Sequence, residues 1–246
     1  IVGSVSITHL TDDTAASISD STITGHVVTA AHLDPMVVAY DRSRISSGGG
    51  ALSFSTGKGS SGVGAVVSVV DLEGSTSATL SGGSMTQVRD VSVAALSSQR
   101  VIGAGAVAGI QTNADSTGQP MGAFVINDLS NSLTAGINSG AVISASRNVA
   151  VRAGGTPTNN VLDDLMGTAK QSEITDFEMT STDNGYSEDI KASMNTGERV
   201  LGVAGTLSLT AGKAASSVGL SYVQNHIQTS YSADVNADIT ALGDVE

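Results

Sequence analysis

From Gly122 to Ala153 the apolar and polar positions follow an order that the chain uses four times. An apolar run after a glycine (Phe124, Val125, Ile126) gives way to a polar break. A central Ala135-Gly136-Ile137 follows, then a second polar break and a closing alternation Val149-x-Val151-x-Ala153. The same outline runs from Gly3, with Val5 and Ile7, then Ala16-Ser17-Ile18, then Val27, Val28 and Ala30. It runs again from Gly64, with Ala78-Thr79-Leu80 and Val91-Ser92-Val93-Ala94, and from Gly219, with Ala233-Asp234-Val235 and Ile239-Thr240-Ala241. A fixed outline recurring along a chain is the mark of a repeat protein. A run rich in small residues leads into two of the copies: Val101 to Ile110, and Val200 to Leu207. Glycine at this density is poor helix interior, so both runs read as extended chain.

The copies start 61 residues apart from Gly3 to Gly64, 58 from Gly64 to Gly122 and 97 from Gly122 to Gly219. The long interval holds an insertion between about Gly155 and Arg199. It carries Asp163, Asp164, Glu173, Asp176, Glu178, Asp183, Glu188, Asp189 and Glu198, with Met166, Met179, Met194, Phe177 and Tyr186. Within it, Leu162 to Lys170 reads as a short helix and the rest as loops with one or two strands. The organisation expected is therefore three repeats over 1–154, an acidic insertion or extra coil over 155–199, and a fourth repeat over 200–246. The insertion reads either as an extra coil or as a decoration that meets a partner, because long insertions on regular scaffolds often carry function.

Several strand-like pieces per repeat, broken by Gly, Asn, Asp and Ser, with Val, Ile and Ala pointing inward, predict an all-β solenoid, a parallel β-helix built from repeats of about 60 residues. At about twenty residues per coil, each repeat would make three coils. Glycine and asparagine would supply corners of positive φ, Gly48-Gly49-Gly50 reads as a turn, and His9 and His226 read as surface turn positions in the polar breaks. A β-sandwich or a tandem of small β domains would need larger core residues and clearer hairpin signals. Aromatics are only 3% of the chain and tryptophan is absent, which suits thin stacked layers.

The charge is sparse and one-sided. Against 11 bases stand 23 acids, a formal net of −12, which argues against nucleic-acid and anionic-lipid partners. No cysteine is present, so disulfides, thiol nucleophiles and Cys-ligated metals are excluded. No apolar run approaches the length of a spanning helix, so no membrane insertion is expected. The chain opens on Ile1-Val2 with no basic and apolar leader, which puts any signal peptide outside it. The fourth outline stops at Gly243-Asp244-Val245-Glu246, before its closing strand, and neither end has a polar cap. This predicts a fragment of a longer chain or a subunit whose ends stack on copies of itself.

The segments GAFVINDLSNSLTAGINSGAVISASRNVAVRA and VGAVVSVVDLEGSTSATLSGGSMTQVRDVSVAA resemble repeats of very large secreted bacterial filamentous adhesins. They are most similar to the filamentous-haemagglutinin and leukotoxin-like type exported by two-partner or autotransporter routes. The resemblance covers the four copies and their glycine-rich lead-ins. It implies a right-handed parallel β-helix, a secreted, extracellular or cell-surface location, and adhesion as the role, with surface glycans or proteins as partners. The insertion and the acidic balance fall outside it.

Other chemistries are weighed on their residues. Ile1-Val2-Gly3 and Val28-Thr29-Ala30-Ala31-His32 resemble the mature N-terminus and histidine motif of a trypsin-like serine protease, and Asp90 to Leu96 loosely resembles its aspartate strand. That family sets its nucleophile in a Gly-Asp-Ser-Gly-Gly turn, which the chain lacks, since Ser81-Gly82-Gly83 and Ser47-Gly48-Gly49 have no preceding Gly-Asp. The repeat also accounts for Thr29-Ala30-Ala31 as a counterpart of Ser92 to Ala95. The four histidines, His9, His26, His32 and His226, form no helical metal motif. Thr56-Gly57-Lys58-Gly59 fails as a phosphate loop. Thr180 to Asp189 fails as an EF-hand, leaving a looser calcium site on Asp183, Glu188 and Asp189 as the alternative to solvated acids. No catalytic, cofactor-binding or metal residue is assigned, and no cofactor is expected. The leading expectation is a non-enzymatic shaft of an adhesin or extracellular fibre. The alternative is a β-helical polysaccharide-processing enzyme or sugar-binding module, whose carboxylates would pair in space, although the three Phe and four Tyr are too dispersed in sequence to suggest a sugar platform.

Overall fold

The computed structural model describes residues 1–25, 35–56, 62–112, 119–154, 198–210 and 217–245. These form fourteen strands, with no helix among the described residues. The first repeat supplies β1 (Val2–Ser19), β2 (Thr22–Thr24), β3 (Met36–Asp41) and β4 (Arg44–Ser55). The second supplies β5 (Gly64–Ser81), β6 (Ser84–Val88), β7 (Val91–Ser97) and β8 (Arg100–Gln111). The third gives β9 (Pro120–Ile137), β10 (Val142–Ala145), β11 (Val149–Ala153) and β12 (Arg199–Thr210), and the fourth gives β13 (Val218–Val235) and β14 (Asp238–Ala241).

Equivalent strands of successive repeats lie side by side in four sheets, every pair parallel. Sheet 1 has the order β1-β5-β9-β13, sheet 2 β14-β10-β6-β2, sheet 3 β11-β7-β3 and sheet 4 β12-β8-β4. The central Ala-x-Ile outline aligns without a slip: Ala16, Ala78, Ala135 and Ala233 form one row, and Ile18, Leu80, Ile137 and Val235 another. The small-residue runs align as well, Val101 with Val200 and Gly103 with Gly202.

Three expectations are corrected. A repeat is not three coils, because neighbours in sheet 1 are 62 residues apart from Val2 to Gly64 and 57 from Gly64 to Met121, so each repeat adds one strand to each sheet. The reason lies in the first polar break. Along β5 the burial alternates through Asp71-Leu72-Glu73-Gly74-Ser75 without interruption, so only the outward residues are polar and the chain does not turn. Likewise Gly48-Gly49-Gly50 is not a turn but the middle of β4. A Cβ on Gly49 would stand 3.0 Å from Val66 Cγ1, which explains why a glycine lies on this inner face. Third, the closing strands of the outer copies fall on other residues. Met36-Val37-Val38-Ala39, not Thr29-Ala30-Ala31, lies beside Ser92 to Ala95, and Ile239-Thr240-Ala241 pairs with Ile143-Ser144-Ala145. In the fourth copy Val245 lies beside Val149, whose other neighbour is Val91. The corners of positive φ fall on Gly82, Gly83, Gly140 and Gly154, and on Asp20 and Gln87, with no asparagine among them in the described residues.

The inner faces of sheet 4 and the first half of sheet 1 pack together through Val66, Val107, Met121 and Ala123, and through Ile45, Val70, Leu72, Val101 and Leu129. The second half of sheet 1 packs on sheets 2 and 3 around residues such as Leu80, Met85, Val93, Leu133 and Ile143. Between the two cores runs a polar column. Ser43 Oγ lies between the carboxyls of Asp12 and Asp41, 2.7 Å from Asp41 Oδ1, and Gln99 Nε2 donates to Asp41 Oδ2. Further along, Asn131 donates to Ser97 Oγ and to Glu198 Oε1, both at 2.8 Å, and Thr229 donates to Glu198 Oε2.

One hydroxyl proton cannot donate to both carboxyls at once, so Asp12 and Asp41 meet across Ser43 with one donor too few. Burial pushes the Asp41 carboxyl up, and the neighbouring Asp12 charge adds to this against the bonds from Ser43 and Gln99. With the folded value above the unfolded one, near 3.9, the folded state holds more protons in that window. Stability from this group is therefore full below the unfolded value and is lost as pH rises through the folded one. Asp41→Asn keeps an acceptor for Gln99 and adds a donor. It is expected to stabilise the protein at pH 7 by on the order of 1 kcal/mol, with the gain vanishing near pH 3. Urea midpoints at the two pH values check this, and equal midpoints for variant and parent at pH 7 would refute the raised Asp41 carboxyl.

Candidate functional site

The polar outward residues of sheet 1 gather into one surface because parallel pairing puts equal positions of each repeat in a row. Residues 9, 71, 128 and 226 form such a row: His9 beside Asp71, Asp71 beside Asp128, and Asp128 beside His226. His9 Nδ1 is 3.0 Å from Asp71 Oδ2, and His226 Nδ1 is 3.0 Å from Asp128 Oδ1. Thr11 Oγ1 lies 3.2 Å from His9 Nε2. Both histidines are thus mid-strand and paired to aspartates, which corrects their reading as turn residues. The two aspartates sit on neighbouring strands, about 4.8 Å apart across the ladder, and each pairs with the imidazole on its outer side. Among the described residues, no group of three or more His, Asp or Glu side chains is placed to hold a metal ion.

Next to this row is a shallow groove of about 380 Å³ lined by Thr11, Asp13, Glu73, Ser130, Gln228 and Ser230, among other residues of the same rows. The groove offers hydroxyl, amide and carboxylate groups, with no aromatic or basic side chain in its lining. It can accept and donate hydrogen bonds to a polar chain, but it has no stacking floor.

An aromatic pair does lie on the same face, nearer the strand starts. Phe124 and Tyr222 are neighbours in register, with ring centroids 6.4 Å apart and planes at 44°. Tyr222 Oη donates to Gln224 Oε1 at 3.0 Å. Although 98 residues separate these rings along the chain, alignment of the third and fourth copies sets them side by side.

Of the protease-like residues, Asp90 and the Ser-Gly-Gly triplets are described. Asp90 accepts from the Arg147 side chain and, at 2.9 Å, from the Asn148 amide. Burial alone would raise its carboxyl, but these bonds and the Arg147 and Arg89 charges outweigh that and hold it below the usual range. Ser81-Gly82-Gly83 is a corner after β5, and Ser47 lies in β4, where its hydroxyl is 2.7 Å from Ser6 Oγ. Val28 to His32, with His26, lies outside the described residues, as do Gly57-Lys58-Gly59, the helix expected at Leu162 to Lys170 and the calcium candidates Asp183, Glu188 and Asp189. No family model, curated protein or solved structure matches the chain.

Proposed function

We propose that the chain is a segment of a right-handed parallel β-helix, one turn per repeat, that serves as the non-enzymatic shaft of a secreted bacterial adhesin or extracellular fibre. The observation that carries this is one row of inward side chains in sheet 1. Leu72 and Leu129, in the middle, are 0% exposed, while Leu10 and Ile227, at the two edges, are 37% and 49% exposed. The outermost turns therefore leave core positions open that a further turn would cover. Unpaired strand edges with an open core favour addition of like turns, and the partners in this reading are further copies of the chain. Glycans or proteins of a cell surface would be met by the outward faces, while the net charge of −12 disfavours nucleic acid.

Electron microscopy of concentrated protein tests the shaft. Thin filaments with an axial repeat of about 4.8 Å are expected, and discrete compact particles at every concentration would overturn the reading.

A second reading, a sugar-binding module or polysaccharide-processing enzyme, is favoured by the groove beside Glu73 and Asp13 with the Phe124–Tyr222 pair on the same face. If it holds, a glycan array should give hits that Glu73→Gln weakens by roughly tenfold, as expected for loss of one charged hydrogen bond. An array without hits removes it.

A further inference from the structure

The inner row Asp12, Gly74, Asn131 and Thr229 crosses all four strands of sheet 1 between the two apolar cores. Facing it are the short connections from sheet 3 to sheet 4, β3 to β4 and β7 to β8. Backbone bonds hold these two connections in register, from the Ser98 amide to the Asp41 carbonyl and from the Arg100 amide to the Ser43 carbonyl, both at 2.9 Å. Asp41, Ser43 and Gln99 are buried here, and Asp12, on the first turn, is half-buried.

In these two turns acceptors outnumber donors. The carboxyls of Asp12 and Asp41 meet across Ser43 Oγ, and the donors that reach them are that hydroxyl and Gln99 Nε2. Among the described residues neither acid is in an ion pair. A second observation is independent of the acids. Gln99 is 0% exposed, its carboxamide touches Asp41, and its Oε1 has no hydrogen-bond partner among the described residues. Glycine at position 74 makes the space for this carboxamide, since a Cβ there would collide with Gln99 Nε2. Facing carboxylates and an orphaned carbonyl oxygen are both costly in a dry interior. One cation offsets both.

We propose that Asp12, Asp41, Ser43 and Gln99 form a calcium site that ties the first repeat to the second. The two carboxylates, the Ser43 hydroxyl and Gln99 Oε1 are its protein ligands, and water on the half-buried Asp12 side completes the shell. A half-turn of the Gln99 carboxamide exchanges its nitrogen for its oxygen beside Asp41, which the orphaned state of that oxygen favours once an ion replaces the hydrogen bond. The donor set is oxygen alone, so a hard cation fits and a softer transition metal, which prefers nitrogen or sulfur, does not. Two carboxylates match a divalent charge. The ligands come from one strand, one strand end and two connections, which makes an irregular cage. Calcium accepts such a cage, whereas magnesium demands a near-ideal octahedron and gives up its water reluctantly.

The consequence is mechanical. Leu10, two positions before Asp12 on the same inner face, is 37% exposed, so the ion fastens the turn whose core is least covered. It joins β1 and the β3–β4 connection of that turn to the β7–β8 connection of the next. All four ligands belong to one chain, so the site does not depend on the shaft reading or on how copies join.

Thermal melts at pH 7 of chelator-stripped protein, given calcium, magnesium or sodium chloride at matched ionic strength, test the site. Calcium at about 10 mM is expected to raise the melting temperature of the parent by roughly 5 °C, as for an ion held at about 0.1–1 mM. Magnesium and sodium should each raise it by less than about 1 °C. Asp41→Asn is the more stable protein in chelator, but it should gain nothing from calcium, so the order of parent and variant reverses when the ion is added. Asp12→Asn should move the calcium midpoint up by roughly tenfold. Because its carboxyl is half-buried, calorimetric titration of this variant keeps the test decisive if Asp41→Asn does not fold. Equal gains in the parent and Asp41→Asn, equal gains with calcium and magnesium, or no gain with calcium would overturn the proposal. So would loss of the gain in an Asp183→Asn, Asp189→Asn double variant, since the calcium would then lie in the insertion.

Discussion

Replacing Leu129 with alanine is expected to lower the unfolding free energy by about 3 kcal/mol, within the 2–5 kcal/mol typical of a buried Leu→Ala change. Leu129 is 0% exposed in a core with Ile45, Val70, Leu72 and Val101. Strands of sheet 1 flank it on both sides and sheet 4 faces it, so backbone on every side is held by ladder hydrogen bonds and cannot collapse into the void. Leu10, in the same row, is 37% exposed, and Leu10→Ala should cost about 1 kcal/mol or less in dilute protein, in proportion to the apolar area it buries. Denaturant titration of the two variants checks the contrast. Equal losses would mean that the row is not a graded core with open ends. If filaments form, the Leu10 variant should lose more stability in the assembled state than in the monomer, because a covering turn buries what the free end exposes.

The second large effect is expected at Gly103, on the inner face of sheet 4. A Cβ there would stand 2.1 Å from Asn127 Oδ1 and 2.8 Å from Val125 Cγ1. Asn127 cannot yield without loss, because its amide donates to Asn225 Oδ1 at 2.8 Å and to the Leu201 carbonyl at 3.2 Å. Gly103→Ala should therefore cost about 2–4 kcal/mol, the sum of overpacking, about 1–3 kcal/mol, and lost buried hydrogen bonds at about 1 kcal/mol each. Gly205, on the outer face of the same sheet, has nothing within 4 Å of its Cβ position, and Gly205→Ala should be neutral or slightly stabilising. Thermal melts of the pair decide it, and equal melting temperatures would show that sheets 1 and 4 are not in close inner contact. Asn127→Ala in the Gly103→Ala background should recover part of the loss by vacating the space.

These two glycines also mark where reading the chain stops. Both sit in glycine-rich runs that look alike in sequence, yet one is obligatory and the other free, because only the facing sheet decides which neighbour a Cβ would meet. The same limit applies to the outward surface of sheet 1. His9 and Asp71 are each recognisable as polar residues in an apolar outline. That they bond across two strands, and that Phe124 meets Tyr222, follows from pairing between repeats.

The sequence by itself determined the repeat, the all-β character, the row of Ala16, Ala78, Ala135 and Ala233, and the alignment of Val101 with Val200, because alternation of period two is written into each strand and survives wherever that strand lies. It also led to three coils per repeat and to Thr29-Ala30-Ala31 as a strand beside Ser92 to Ala95, and the tertiary structure replaced both. A polar residue pointing outward from an unbroken strand and a polar residue in a turn read the same in one dimension. More residues separate β2 from β3 than β6 from β7, so Val37 rather than Ala30 arrives beside Val93. What only the tertiary structure decided was therefore register across repeats, and with it the aspartate–histidine row, the groove and the Asp12–Ser43–Asp41 cluster. Each of these joins residues from different strands, and their proximity is set by ladder hydrogen bonds and facing side chains, not by anything local to either segment.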